Sequence, residues 1–177
     1  MNENMNRVLM NENMNKVLIN QSIKTTIITY VPIISIFIMG ALFPVKKREI
    51  RPIFQPPDWF FPIAWTYITL SFGFITSKFI NSDIEKSKKR NLLVIYSVIL
   101  IMLNGWLVLN HYNRYKDSFI LLVITGYISI VYLIYMAYIS SKVKKKYYIW
   151  FLLPLPFWLL LASCLNGVIY NNSKMIN

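Results

Sequence analysis

Five long runs without a charged side chain divide this chain, at residues 25–45, 59–77, 91–113, 118–141 and 147–173. Each is close to or above the roughly 20 residues that an α-helix needs to cross the hydrocarbon core of a bilayer. Inside lipid every backbone N–H and C=O must be bonded within the protein. That leaves helices or closed barrels, and a barrel is built from shorter strands of alternating polarity. The expected fold class is therefore an all-α integral membrane protein, a five-transmembrane-helix bundle with helices at about 25–45, 58–80, 91–112, 118–141 and 147–171. Composition agrees, since 56% hydrophobic residues, 15% charged residues and a mean hydropathy of +0.46 are too apolar for an ordinary soluble domain.

The nineteen Lys and Arg against seven Asp and Glu give a formal charge of +12, which fits either nucleic acid or an anionic membrane surface. Position decides between them. The cations sit in short clusters bordering the apolar runs, at 46–48, 86–90, 114–116 and 142–146, and no nucleic-acid-binding motif accompanies them. The expected partner is a lipid membrane and not a nucleic acid. The N-terminal tail and the loops at 78–90 and 142–146 fall on one face and hold twelve of the nineteen cations, which favours that face as the inner one. Tyr147, Tyr148 and Trp150, beside the last cluster, read as interface anchors.

Residues 1–18 are two copies of a nine-residue unit, MNENMNRVL and MNENMNKVL, too few to build a repeat fold. A recent duplication explains them, with Met10 as a candidate second start. Residues 1–20 are expected to form a polar tail, disordered or a frayed surface helix, ahead of a membrane domain at 21–177. The first apolar run is too long for a signal-peptide core and lacks a small-residue cleavage site, so it is read as retained. Cys164 and His111 are the only residues of their kinds, which leaves no intrachain disulfide and no protein-built metal site. No cofactor is required by anything in the sequence.

The segment 51–69, RPIFQPPDWFFPIAWTYIT, changes character midway. Pro52, Pro56 and Pro57 lack backbone donors and push their predecessors toward extended geometry, so the approach is a stiff strap. Asp58 is the expected N-cap of the helix that follows. Phe61, Trp65 and Phe72 then share one helical stripe. A strap leading into an aromatic wall implies a lidded pocket. Asn104 and Asn166 lie well inside apolar runs, where an unpaired amide is costly. Each is either helix-to-helix glue or a polar contact for a ligand. Trp158, Ala162 and Asn166 recur every four residues, and a bulky ring, a small residue and an amide leave space beside the ring; close helix packing at Ala162 is the alternative. Pro154 and Pro156 are expected to kink the fifth crossing toward the bundle interior. Trp59 reads best as an interface anchor, whereas Trp65 sits too deep for that. Titratable groups are nearly absent from the crossings. The residues argue for binding before turnover, and no catalytic residue is assigned on this ground.

These motifs resemble the TspO/MBR family, the tryptophan-rich sensory or translocator proteins. The family's K-P-x-W-x-P-P loop and W-x-F-x-P-V-W-T or W-V-F-P-V-A-W-T helix start are matched by Arg51, Pro52, Phe54, Pro56, Pro57, Trp59, Phe61, Pro62, Ala64, Trp65 and Thr66, with Arg for Lys and Phe for the first Trp. Its last-helix pattern, P-Y-x-x-W-x-x-F-A-x-x-L-N, is met by Pro154, Trp158, Leu161, Ala162, Leu165 and Asn166, and its third-helix L-N by Leu103 and Asn104. The W-Y pair that often precedes the K-P is missing. The family places an aromatic three residues after that Asn, where this chain has Leu107; Trp106, two residues after, is accordingly expected off the cavity. Leu165, Tyr170 and Lys174 fit a loose sterol-recognition pattern.

The resemblance implies a five-helix homodimer with a pocket open toward the first-loop side, taking porphyrins such as protoporphyrin IX, sterols in animal members, and aromatic drugs of the benzodiazepine and isoquinoline carboxamide type. On that reading Pro56, Phe61, Trp65, Asn104, Trp158, Ala162 and Asn166 bind ligand, and Arg51, Phe54, Pro57 and Trp59 form the mouth. Lys46, Lys47, Arg48 and Arg51 would meet porphyrin propionates. Trp65 and Trp158 match family tryptophans implicated in light-dependent porphyrin breakdown, so transport, oxygen- and light-dependent degradation, and a scaffold or stress-regulator role all stay open. The implied location is a bacterial cytoplasmic membrane, a mitochondrial outer membrane or another host membrane.

Overall fold

The computed structural model describes residues 2–45, 52–142 and 146–176. In chain order these form α1 (Asn2–Leu42), α2 (Phe60–Ile80), α3 (Lys86–His111), α4 (Tyr115–Lys142) and α5 (Pro154–Ile176), with a 3-10 segment (Lys146–Leu152) ahead of α5. Five helical stretches are long and apolar enough to cross a bilayer, and no strand occurs among the described residues. The protein is thus an all-α, multi-pass membrane bundle, as its uncharged runs predict.

Several boundaries depart from expectation, each for a local reason. α1 does not begin after a separate tail. It runs unbroken from Asn2, because no Pro or Gly stands between there and Pro32, and a Lys16–Glu12 pair at 2.7 Å links neighbouring turns. It stops at Leu42, just before Pro44, which cannot continue the backbone ladder. α2 starts at Phe60 and not at an Asp58 cap. Trp59 occupies the capping position in an already helical conformation, with no side-chain cap bond, while the carbonyls of Pro57 and Asp58 accept from Phe60 and Phe61. α3 takes in the basic cluster from Lys86 onward. Asn113, at φ 59, turns the chain between α3 and α4 in the left-handed conformation that Asn tolerates, and Arg114 N–H closes back onto the Leu109 carbonyl at 2.9 Å.

The largest departure is in the fifth crossing. Pro154 and Pro156 do not kink a continuous helix. They start a new one, Pro154 standing at its first position, where a missing N–H costs nothing. The membrane segment before them winds as a 3-10 helix, with Leu153 N–H donating to the Trp150 carbonyl at 3.3 Å.

α1 packs chiefly on α2, α3 on α4 and α4 on α5. The two ends of the bundle differ. Toward the end of α2 the interior is solid: Phe72 stacks on Tyr96 at 4.8 Å and meets Tyr132 edge-on at 5.5 Å, and the Tyr132 hydroxyl pairs with that of Thr76 at 2.7 Å. Toward the start of α2, beside the strap at 52–58, it is hollow.

Candidate functional site

The hollow is a cavity of about 610 Å³, within the range of small-molecule sites. α1 contributes Ile36, Phe37, Gly40 and Ala41, with Val45 just beyond its end; α2 gives Phe61, Pro62 and Trp65, α3 gives Trp106, and α5 gives Trp158, Ala162, Leu165, Asn166 and Ile169. Gln55 and Asp58 of the strap stand at its edge. The strap opens on a turn, Gln55 N–H donating to the Pro52 carbonyl at 2.9 Å, and is extended only across 55–57, where Pro56 and Pro57 restrict the residues before them.

Three indoles build the wall. Trp65 lies against Trp106 at 5.8 Å with planes 31° apart, and meets Trp158 edge-on at 6.2 Å. Phe61 adds a further edge against Trp158 at 5.5 Å, so each ring is held by another ring and none swings freely. Trp65 and Trp158 are nearly buried. The Nε1 atom of Trp158 is buried with no protein partner, an unusual state for an indole donor.

One polar network borders this apolar wall. Asn166 spends its amide N–H on the Ala162 carbonyl at 2.8 Å, and its Oδ1 accepts from the Ser118 hydroxyl at 3.1 Å and from Trp106 Nε1 at 3.5 Å. Ser118 in turn accepts from Asn110 Nδ2 at 2.5 Å. Asn166 therefore both lines the cavity and ties α3, α4 and α5 together. At Gly40 a Cβ would meet nothing within 4 Å, so the α1 side of the cavity has room.

The structure brings together Phe61, Trp65, Trp158, Ala162 and Asn166 of the residues expected to bind ligand. Pro56 is half-buried in the strap and does not line the cavity. Asn104 also stays outside the lining: its Nδ2 donates to the Ser35 hydroxyl at 3.2 Å and to the Leu100 carbonyl at 2.8 Å, joining α3 to α1. Phe54, Pro57 and Trp59, expected at the mouth, are exposed and do not line the cavity, whereas Gln55 and Asp58 between them do. Arg51, Lys46, Lys47 and Arg48 lie outside the described residues.

Trp106 corrects an expectation, because it lines the cavity after all. The register from Asn104 put the cavity on that residue's face of α3, but that face lies on α1. The opposite face looks at α2 and α5, and two residues along a helix, about 200° of turn, carry Trp106 there. The network through Asn110 and Ser118 was not anticipated either. Both sit near helix ends, where polar residues ordinarily face water, and only their pairing at serine and amide spacing across the Asn113 turn hinted at it.

His111, half-buried, bonds through Nδ1 to the Pro44 carbonyl at 3.0 Å and packs edge-on against Phe43 at 5.6 Å, fastening the ends of α1 and α3. Among the described residues no three His, Cys, Asp or Glu side chains gather as a metal site would need.

A family model described as the TspO/MBR family matches residues 26–171. The tryptophan-rich protein TspO of Chlorobaculum tepidum is 26% identical over 73 residues, a stretch that is 38% of this chain and 46% of that relative. The chain thus aligns with less than half of the relative's length.

Proposed function

This chain belongs to the TspO/MBR family, and from that premise we propose that it binds porphyrins, protoporphyrin IX among them, and other flat hydrophobic ligands in the indole-walled cavity, as a homodimer that moves them within or across its membrane. The observation that carries the reading is a hollow of about 610 Å³ faced by Trp65, Trp106 and Trp158, with one buried indole N–H left unbonded. Flat aromatic walls favour a plate-shaped guest, through offset and edge contacts worth about 0.5–1.5 kcal/mol each. That N–H has almost no surface open to the cavity, so it would meet a guest's oxygen acceptor, a propionate or a carbonyl, only if the ring turns as the guest enters.

The test is a protoporphyrin IX titration of the purified protein in lipid nanodiscs, followed by the shift in porphyrin absorbance. The Trp65→Phe, Trp158→Phe double variant is expected to bind roughly tenfold more weakly, on the ring contacts it loses. Gly40→Leu, which fills the open α1 side, is expected to do the same without disturbing the fold. Affinities within twofold of the parent for both variants would overturn the site.

A second reading, light- and oxygen-dependent porphyrin degradation, draws on the same pair of indoles, 6.2 Å apart. It requires product formation that saturates with porphyrin and disappears in Trp158→Phe at ligand concentrations that keep that variant fully loaded.

A further inference from the structure

Away from the cavity, the outer side of α3 carries a shallow groove of about 560 Å³ lined by Lys86, Lys89, Arg90, Leu93, Val94, Ser97, Val98 and Ile101. The spacing is one helical stripe, three to four residues per step, with all three cations at the loop end and four apolar residues below them. We infer that this groove holds one anionic phospholipid of the surrounding bilayer, its phosphate on Lys86, Lys89 and Arg90 and an acyl chain along Val94, Val98 and Ile101.

Length, charge and exposure all support that occupant. From Arg90 to Ile101 the helix rises about 16 Å at 1.5 Å per residue, close to half of the roughly 30 Å hydrocarbon thickness. The groove therefore runs from the headgroup level to the bilayer midplane, the depth reached by a lipid of one leaflet. Of the cluster's four cations, Lys88 points elsewhere and is paired with Glu85 at 2.7 Å, which also offsets the nearest acid. The remaining three converge on the head of the stripe, with exposed Asp83 the other acid of that loop. Val94 and Ile101 are 56% and 70% exposed, which in a membrane means exposed to acyl chains. By the count of basic residues in the sequence, this loop belongs to the face expected to carry the greater positive charge, and anionic lipid gathers where positive charge faces the membrane surface.

The experiment uses the full chain in detergent micelles, titrated with phosphatidylglycerol or with phosphatidylcholine of the same acyl chains, and counts bound lipid by native mass spectrometry. Lys86→Gln, Lys89→Gln, Arg90→Gln together are expected to weaken the tightest phosphatidylglycerol site at least about tenfold, on the attraction each cation supplies near an anionic surface. Val94→Trp, which keeps every charge but obstructs the chain's path, is expected to weaken it comparably. A control with Lys16→Gln, Lys24→Gln, Lys116→Gln should retain it.

Three results would each overturn the proposal. One is an unchanged phosphatidylglycerol site in the first triple variant, including the case where that variant alters only the oligomeric mass, which would mean a second copy covers the face. Another is an equal loss in the control, which would mean diffuse charge. The third is complete displacement by millimolar inorganic phosphate with no effect of Val94→Trp, which would mean a free-anion site.

Discussion

Trp158 concentrates the tension of the site in one atom. A buried donor left unbonded costs about 1–3 kcal/mol, and its Nε1 is in that state at the cavity wall. Trp158→Phe removes the donor together with some packing against Phe60, Phe61 and Trp65. The two effects oppose, so ligand-free thermal stability is expected to change by less than about 1 kcal/mol, whereas core aromatic truncations ordinarily cost several. Affinity for protoporphyrin IX should fall more than affinity for an alkyl porphyrin that carries no oxygen acceptor. Equal losses for the two, measured by the same absorbance titration, would show that the N–H plays no part in recognition. At this scale the sequence was readable where spacing along one helix is enough: Trp158, Ala162 and Asn166 face the cavity as their four-residue steps predict. It was not readable where a partner helix decides. Asn104 and Trp106 lie two residues apart, and which of them meets the cavity depends on where α1 packs, a tertiary fact that no residue of α3 records.

Helix pairing sets the frame that keeps the cavity open. α1 and α2 approach so closely at Gly73 that an added Cβ would stand 2.2 Å from the Thr29 carbonyl oxygen and 2.8 Å from that of Ile28. Backbone, not a flexible side chain, occupies the space. The seam is reinforced by Thr29 donating to Ser77 at 3.0 Å and Asn81 to Thr25 at 2.6 Å, while Tyr96 of α3 donates to the Ile28 carbonyl of α1 at 2.7 Å beside it. Small and hydroxylated residues at such a contact are the membrane substitute for hydrophobic burial, since lipid is as apolar as the helix face. Gly73→Ala is therefore expected to destabilise by about 1–3 kcal/mol, the usual cost of overpacking, although Ala is the better helix former by about 1 kcal/mol. A melting temperature equal to or above the parent's in the same detergent would refute the close approach. The crossings themselves were evident from uncharged length, and the seam was not, because a lone Gly in an apolar run has no local signature. The fifth crossing was half legible: its prolines mark a discontinuity, but whether they bend one helix or begin another depends on the packing of the 3-10 segment against α2 and α4.

Seen as a whole, the molecule divides along the membrane normal into a solid end and a hollow one, and α1 extends well beyond the solid end. At about 1.5 Å per residue its 41 residues reach roughly 60 Å, twice the hydrocarbon thickness. The portion that touches the bundle begins near Thr25, and every side chain from Met14 to Lys24 is exposed. The later part of the duplicated segment, from Met14 on, is thus helical with its side chains outside the packed domain, which reconciles its polar composition with its continuity. Of the two expectations for this tail, disorder or a surface helix, the helix is what forms, because the helix already growing behind it is extended at one hydrogen bond per residue once nucleated. Deleting residues 2–18 should consequently leave the bundle's melting temperature and porphyrin affinity within error of the parent's, since surface changes away from packing usually stay within about 0.5 kcal/mol. Amide exchange over 19–24 should accelerate in the shortened chain while exchange over 28–42 stays slow. Loss of ligand affinity on deletion would mean instead that the extension folds back on the strap or pairs two copies, and would give the repeat a place in the site.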